Sequence, residues 1–301
     1  IILPALGIGI AVYHQFTDIV KEQFVQSTLR NLDSIVSRLE EQTATVKDIA
    51  DYLIIHPALN EFLSSEQELD YAYEQYLKQN VMNLLTFHQF TKKYIRSIHI
   101  HGYNGNFIEM GEPFYPNEDV WLDEAKRRRG GVVWTDSYSA ISGWNREVHL
   151  ISLVRILNSI NDITHPQGEL IIRLDGDYFL SQLEDALYKK SGFVYVVGPN
   201  GNSVLQSDPT LSLDLTELTR KIEQRPFGYA NYEWEQTDYF VFYRSMEQTL
   251  WKIVIFIPEA IVNEETIGVE RMGALIIGMM LLFCFAALLG LHSTIIRPVQ
   301  R

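Results

Sequence analysis

The chain has 301 residues, 47% of them apolar and 21% charged, a formal net charge of −13 and a single cysteine. Such acidity argues against nucleic acid or an anionic lipid surface as a partner of its polar part. The lone Cys284 excludes an internal disulfide, so an apolar core must hold the fold.

Residues 1–12 carry no charge, and Tyr13, His14 and Phe16 follow like an interfacial aromatic edge. This run is too short to span a bilayer alone. Residues 1–16 read as a truncated first transmembrane helix, with a cleaved signal peptide as the rival. From Phe16 to Ile55 there is neither Gly nor Pro. Leu29, Leu32, Val36, Leu39, Thr43, Val46, Ala50 and Leu53 follow a heptad spacing that predicts a stalk helix over residues 17–56. His56-Pro57 ends it, because the residue before proline resists helical geometry. The seam serves as a homodimer interface, as the buried face of a helix packed on its own domain, or as each at a different height. A second helix is expected over residues 66–92. Its predicted buried side holds Leu69, Tyr73, Tyr76, Leu77, Val81, Leu84 and Leu85, with Ser64 or Ser65 as its cap.

A duplication follows. Residues 98–108 and 194–204 share Gly-x-Asn-Gly-Asn at an offset of 96 residues, each between strand-like runs. Asn-Gly supplies the positive backbone angles of a short hairpin. The same flanking glycine at domain-sized separation points to two copies of one module. After the first hairpin come a helix (117–129) and strands over 132–138, 147–157 and 169–174. After the second come a helix (213–224) and strands over 229–234, 239–245 and 251–257. Each copy is therefore a five-stranded antiparallel sheet with helices, an α+β class. Residues 175–190 join the copies as a helix, and 259–271 lead onward.

Between Arg271 and Arg297 no side chain is charged, which predicts a second transmembrane helix over residues 272–296. Arg297 and Arg301 place that end in the cytoplasm. They contribute +2 to the total of −13, so residues 17–271 carry −15. The chain reads as part of a longer protein that passes the membrane more than once, with residues 17–271 outside.

A membrane helix, a long stalk helix, two tandem PAS-like sheets and a second membrane helix resemble the double Cache sensor region of bacterial transmembrane receptors. On that resemblance residues 57–175 are the membrane-distal Cache module, 176–190 the connecting helix and 191–271 the membrane-proximal module. Ile296-Arg297-Pro298-Val299 resembles the start of a HAMP linker, here residues 297–301. Trp121-Leu122-x-x-Ala125, Gly131-x-x-Trp134-Thr135, Ile151-Ser152-Leu153-Val154-Arg155-Ile156 and Gly168-Glu169-Leu170-Ile171-Ile172 resemble YesM-type sensor histidine kinases. The resemblance implies a kinase beyond this region, using ATP and Mg there and passing a phosphoryl group to a cytoplasmic response regulator. No cofactor is expected within residues 1–301, and no nucleophile constellation, phosphate loop or zinc motif is found in them. A methyl-accepting chemoreceptor, a diguanylate cyclase, a membrane-tethered transcription factor and a domain that binds a partner protein would share the same front half.

In double Cache proteins the pocket lies in the membrane-distal module, between the sheet and the segments after its helix. Carried to this chain, that implies Trp121, Trp134, Asp136, Tyr138, Trp144, Arg155 and Asp175 as ligand-binding candidates. Aromatic walls with a few charges suit a small polar ligand. Arg155 could fork onto a carboxylate and Asp136 or Asp175 could accept from an amine or hydroxyl. The other reading makes Trp121 and Trp134 core and gives Arg155 a local acid. The amino-acid-binding subset has an arginine two residues before the helix tryptophan, where this chain has Asp119. Residues 137–145 could form a lid. His99 and His101 share a strand face, a spacing that can hold a metal but here lacks a third ligand. Arg127, Arg128 and Arg129 end a helix, where cations oppose its dipole.

Overall fold

With no Gly or Pro to interrupt it, the stalk forms one helix, α1 (Ile2–Ile55), about 80 Å long at the helical rise. The computed structural model describes residues 2–64, 70–113, 118–185, 191–208 and 225–262, with isolated positions 187, 210, 275, 278, 279, 282 and 286; side chains are described from Gln15 onward. Among the described residues no helix is long and apolar enough to cross a membrane. Residues 1–16 belong almost wholly to α1. The predicted helix over 213–224 and the linker over 297–301 lie outside the described residues, as does nearly all of the predicted span over 272–296.

The heptad seam of α1 faces inward. Leu32, Val36, Leu39, Thr43, Val46, Ala50 and Leu53 are all buried against this chain's own sheets. Each large aliphatic enclosed in this way is worth roughly 1.5–3 kcal/mol. From Leu32 to Leu53 the seam is taken by the chain's own sheets and is not open to a second copy, while Phe16 and Ile19 lower on the helix stay exposed. Thr43 tolerates burial by donating its hydroxyl to Leu39 O at 3.0 Å.

Pro57 ends α1 and opens a short helix, α2 (Pro57–Ser64), that the sequence reading missed. The next helix, α3 (Tyr71–Thr91), starts later than expected, from Asp70, so Ser64 closes α2 and does not cap α3. Leu77, Val81 and Leu85 are buried as predicted, whereas Tyr73 and Tyr76 point outward.

The first sheet contains β1 (Ile95–Gly102), β2 (Phe107–Gly111), β3 (Val133–Trp134), β4 (Tyr138–Ile141), β5 (Glu147–Asn158) and β6 (Pro166–Asp175). Helix α4 (Asp119–Arg127) follows β2, and α5 (Gly176–Glu184) follows β6. The second sheet contains β7 (Phe193–Val197), β8 (Ser203–Gln206), β9 (Phe227–Trp234), β10 (Thr237–Ser245) and β11 (Lys252–Pro258). Strand orders are β2-β1-β6-β5-β3 and β8-β7-β11-β10-β9, antiparallel in every pair. The two sheets thus repeat one order. The first has six strands because its last lane is broken: β3 and β4 both pair with β5.

Both hairpins close identically. Gly102 N donates to Asn106 O at 2.7 Å and Gly198 N to Asn202 O at 2.8 Å. Only Gly105 and Gly201 take positive φ, +91° and +79°, while their asparagines do not. The loops are therefore three residues long with a glycine bulge, not two-residue turns. Helix α1 crosses both sheets. Phe24 meets Phe242 at 6.2 Å near one end. Lys21 pairs with Glu259 and Arg244 with Asp33 there, and Arg155 pairs with Asp51 near the other end.

Candidate ligand site

The outer face of the first sheet, turned away from α1, carries α4. Apolar Ala125 of that helix packs on Val133, Val154, Ile156 and Ile171, with Trp121 and Leu122 alongside. Beside this patch lies a buried polar row. Ser97, Ser152 and Arg173 lie side by side on β1, β5 and β6. Arg173 is 3% exposed and Glu118, at the start of α4, 6%. Arg173 donates from Nε to Glu118 Oε1 at 2.9 Å and from Nη2 to Oε2 at 2.7 Å, a forked pair. Its Nη1 reaches Ser97 Oγ at 3.3 Å. Tyr138 donates to Glu118 Oε1 at 2.7 Å and lies 2.7 Å from Ser152 Oγ.

Burial alone would pull the Arg173 guanidinium down, but the hydrogen bonds and charge of Glu118 outweigh it and hold it above its ordinary value. Burial, then the negative charge of Glu118, pushes the Tyr138 phenol up. Burial first, and then Arg173, lower the pKa of His99 against the opposing pull of Glu109 and Glu118. His99 Nδ1 lies 4.0 Å from Glu109 Oε1. Among the described residues no group of three His, Cys, Asp or Glu side chains is placed to hold a metal.

A cleft of about 620 Å³ opens where the sheet edge, α4, the second hairpin and the turn before β11 meet. Trp121, Trp134 and Asp136 line it, with Trp251, Asn202 and Lys47. The broken lane creates this opening. Thr135 keeps the ladder by taking Ser152 N–H on its hydroxyl at 2.8 Å while its own N–H donates to Ser152 O at 2.9 Å. The chain then leaves the sheet at Asp136, and Ser137 N donates across to Val204 O at 3.1 Å. Asn202 Nδ2 reaches Asp136 Oδ2 at 3.4 Å, and Trp134 stands edge-on to Trp251 at 5.7 Å. The cleft is thus walled by both sheets' elements.

Of the seven sequence candidates, Trp121, Trp134 and Asp136 share this cleft. Tyr138 adjoins it, its ring 4.8 Å from that of Trp121. Trp144 is 71% exposed in the turn between β4 and β5, away from the others. That turn is tight, with Ser142 N donating to Arg146 O at 2.8 Å and Gly143 N to Pro113 O at 2.9 Å. Residues 138–141 are paired strand, so the stretch is not a free lid. Arg155 takes the structural alternative: it binds Asp51 of α1 and donates Nε to Gly130 O at 2.6 Å. Asp175 caps α5, accepting from Tyr178 N at 3.0 Å, and pairs with Arg96 at 2.7 Å. Arg127 and Arg128 share Glu124 on an exposed helix end. The sequence reading missed Glu118, Ser97, Ser152 and Arg173. Its available signal was one arginine inside the apolar run of β6.

No protein-family model matches the sequence, and no curated protein matches it. Solved structures do. The sensory domain of the Campylobacter jejuni chemoreceptor Tlp3, with isoleucine bound, aligns over 82% of this chain and 97% of its own, with TM-score 0.54 and 12% identity. The extracellular domain of the putative histidine kinase vpHK1S-Z8 aligns over 81% and 98%, with TM-score 0.55 and 12% identity. The ligand-binding domain of the Pseudomonas aeruginosa PAO1 chemoreceptor PctC, in complex with GABA, aligns over 79% and 99%, with TM-score 0.51 and 13% identity. The chain has the fold of these domains: a long N-terminal helix along two antiparallel sheets.

Proposed function

We propose that residues 17–271 form the extracellular ligand-sensing region of a bacterial transmembrane receptor, with residues 1–16 and 272–296 as its membrane helices. The observation that carries this is the cleft of Trp121, Trp134, Asp136 and Trp251, set against a buried polar row on one sheet only. Three indole walls, the carboxylates of Asp136 and Glu124 and the cations Lys47, Arg127 and Arg128 at the rim suit a small polar organic ligand that presents an amine or hydroxyl to Asp136. Tlp3 and PctC were solved with isoleucine and GABA, both amino acids with an ammonium and a carboxylate group. Because Asp119 replaces the arginine of amino-acid binders, a ligand carboxylate has no anchor at that position. The cleft is walled by elements of both modules, so a ligand that prefers one arrangement shifts their relation only by its differential affinity. Helix α1 touches both sheets and would carry that shift toward the membrane. The output on this reading is a histidine kinase that phosphorylates a response regulator, as the YesM-like phrases suggest. A methyl-accepting chemoreceptor is the second reading; Tlp3 and PctC share the fold, as does the putative histidine kinase vpHK1S-Z8.

A thermal-shift screen of amines, sugars and organic acids tests the sensing reading, since a ligand stabilises the folded state by mass action. A hit that raises the Tm of the native protein but not of Trp134→Ala or Asp136→Asn is expected. Flat curves throughout would favour a protein partner. Labelling of intact cells should find residues 17–271 outside; finding them in the cytosol would end this reading.

A further inference from the structure

Helix α3 has two apolar faces but one core. Leu77, Val81 and Leu85 are buried on its own sheet. On the outer flank Tyr73, Tyr76, Phe87 and Phe90 are 41%, 60%, 63% and 83% exposed. Together with Asn80 and Asn83 they fall at successive intervals of 3, 4, 3, 4 and 3, the seam of a heptad repeat. None of these six positions is charged, nor are the flanking Ala72, Gln79 and Thr86, in a chain of net charge −13. An acidic chain repels its own copies in general, and along α3 this stripe lacks the charge that would do so; the one carboxylate against it, Glu61, is held by the Tyr73 hydroxyl at its edge. Tyr73 and Tyr76 are already stacked at 6.1 Å, and Tyr73 donates to Glu61 Oε1 at 2.8 Å, so part of the ordering cost is met beforehand.

We propose that this stripe is the interface with a second copy of the chain, α3 lying parallel and in register against α3. Four aromatics that each enclose about 150–250 Å² and stand roughly three-fifths exposed offer on the order of 500 Å² per copy, or about 1,000 Å² per pair. That reaches the lower bound of a specific interface. Anchoring both copies in one membrane raises their effective concentration and sets the parallel sense; this clause alone rests on the receptor reading. Asn80 and Asn83 meet their counterparts at the centre, where a buried amide fixes register and strand number. The Gln79–Asn83 hydrogen bond, 2.8 Å and exposed, gives way to the partner's amide. The interface replaces the stalk seam, which α1 spends on its own sheets.

The test uses the full chain in membranes with Cys284→Ser as background. Asn80→Cys should form a disulfide-linked dimer several-fold more than Gln75→Cys, which is exposed on the opposite flank. Adding Phe87→Glu and Phe90→Glu should abolish the excess while leaving the far-UV circular dichroism of the purified protein unchanged. Three results would each overturn the proposal: equal yields at 80 and 75, linkage of Asn80→Cys only to an Asn83→Cys copy expressed beside it and not to its own kind, or a cross-linked species whose mass shows another protein. A ligand response retained in any of these outcomes would leave the sensing reading standing.

Discussion

Matched by their hairpins, the two sheets put opposite chemistry on equivalent positions. In the first, Ser97, Arg173 and Ser152 form a row across β1, β6 and β5. In the second, the same row across β7, β11 and β10 is Phe193, Phe256 and Val241. His99 and His101 correspond to Tyr195 and Val197 by the same offset of 96 residues. Both rows are buried. One duplicated frame has thus kept its backbone pairing and divided its labour. The second face is an aromatic cluster, with Phe193 stacked on Phe256 at 4.5 Å. The first holds a desolvated ion pair beside a cleft, a costly arrangement for stability alone.

The sharpest way to break that contrast is Glu118→Gln. It leaves Arg173 buried and unpaired, and chemical denaturation should show a loss of about 3–5 kcal/mol. Replacing both partners by apolar residues, Glu118→Leu with Arg173→Met, should recover most of it while abolishing any ligand response. A single variant as stable as the native protein would show that the pair is not desolvated. Phe256→Ala should also lose about 3–5 kcal/mol through the cavity it leaves. There the ligand response should survive, which separates packing from sensing.

Much of this frame was legible beforehand. The strands announced themselves through apolar runs between Gly-Asn punctuation, and the stalk through its unbroken spacing. The misreadings have physical causes. Apolar residues surround α3, so its period could not say whether Tyr73 and Tyr76 faced inward. The heptad seam of α1 fits a sheet as well as a second helix, and the sheets take it. Glu118 and Arg173 lie 55 residues apart, and pairing at that range is set by strand order, not by spacing. Arg155 and Asp175 are charged groups in the right region, but α1 and α5 use them locally.

Smaller effects sharpen the comparison further. Asp175→Ala removes a cap, and equilibrium unfolding should show a cost of about 1 kcal/mol. The acid side should also be informative. Burial lowers the pKa of His99, His56 and His88 in the folded state, so the unfolded chain binds protons more readily. Stability should therefore be level above the ordinary histidine pKa of about 6.5 and fall as pH drops through it. His99→Gln should flatten part of that slope. Asp51, whose pKa Lys47 and Arg155 lower in spite of its burial, acts in a lower window, losing its contribution as pH falls below the usual carboxylate range.

Hydrogen exchange with and without a compound that raises the Tm tests the central claim most directly. The account predicts new protection in α4, at residues 133–138 and in the turns at 199–202 and 248–251, with the aromatic face of the second sheet unchanged. Protection confined to that second face would contradict it.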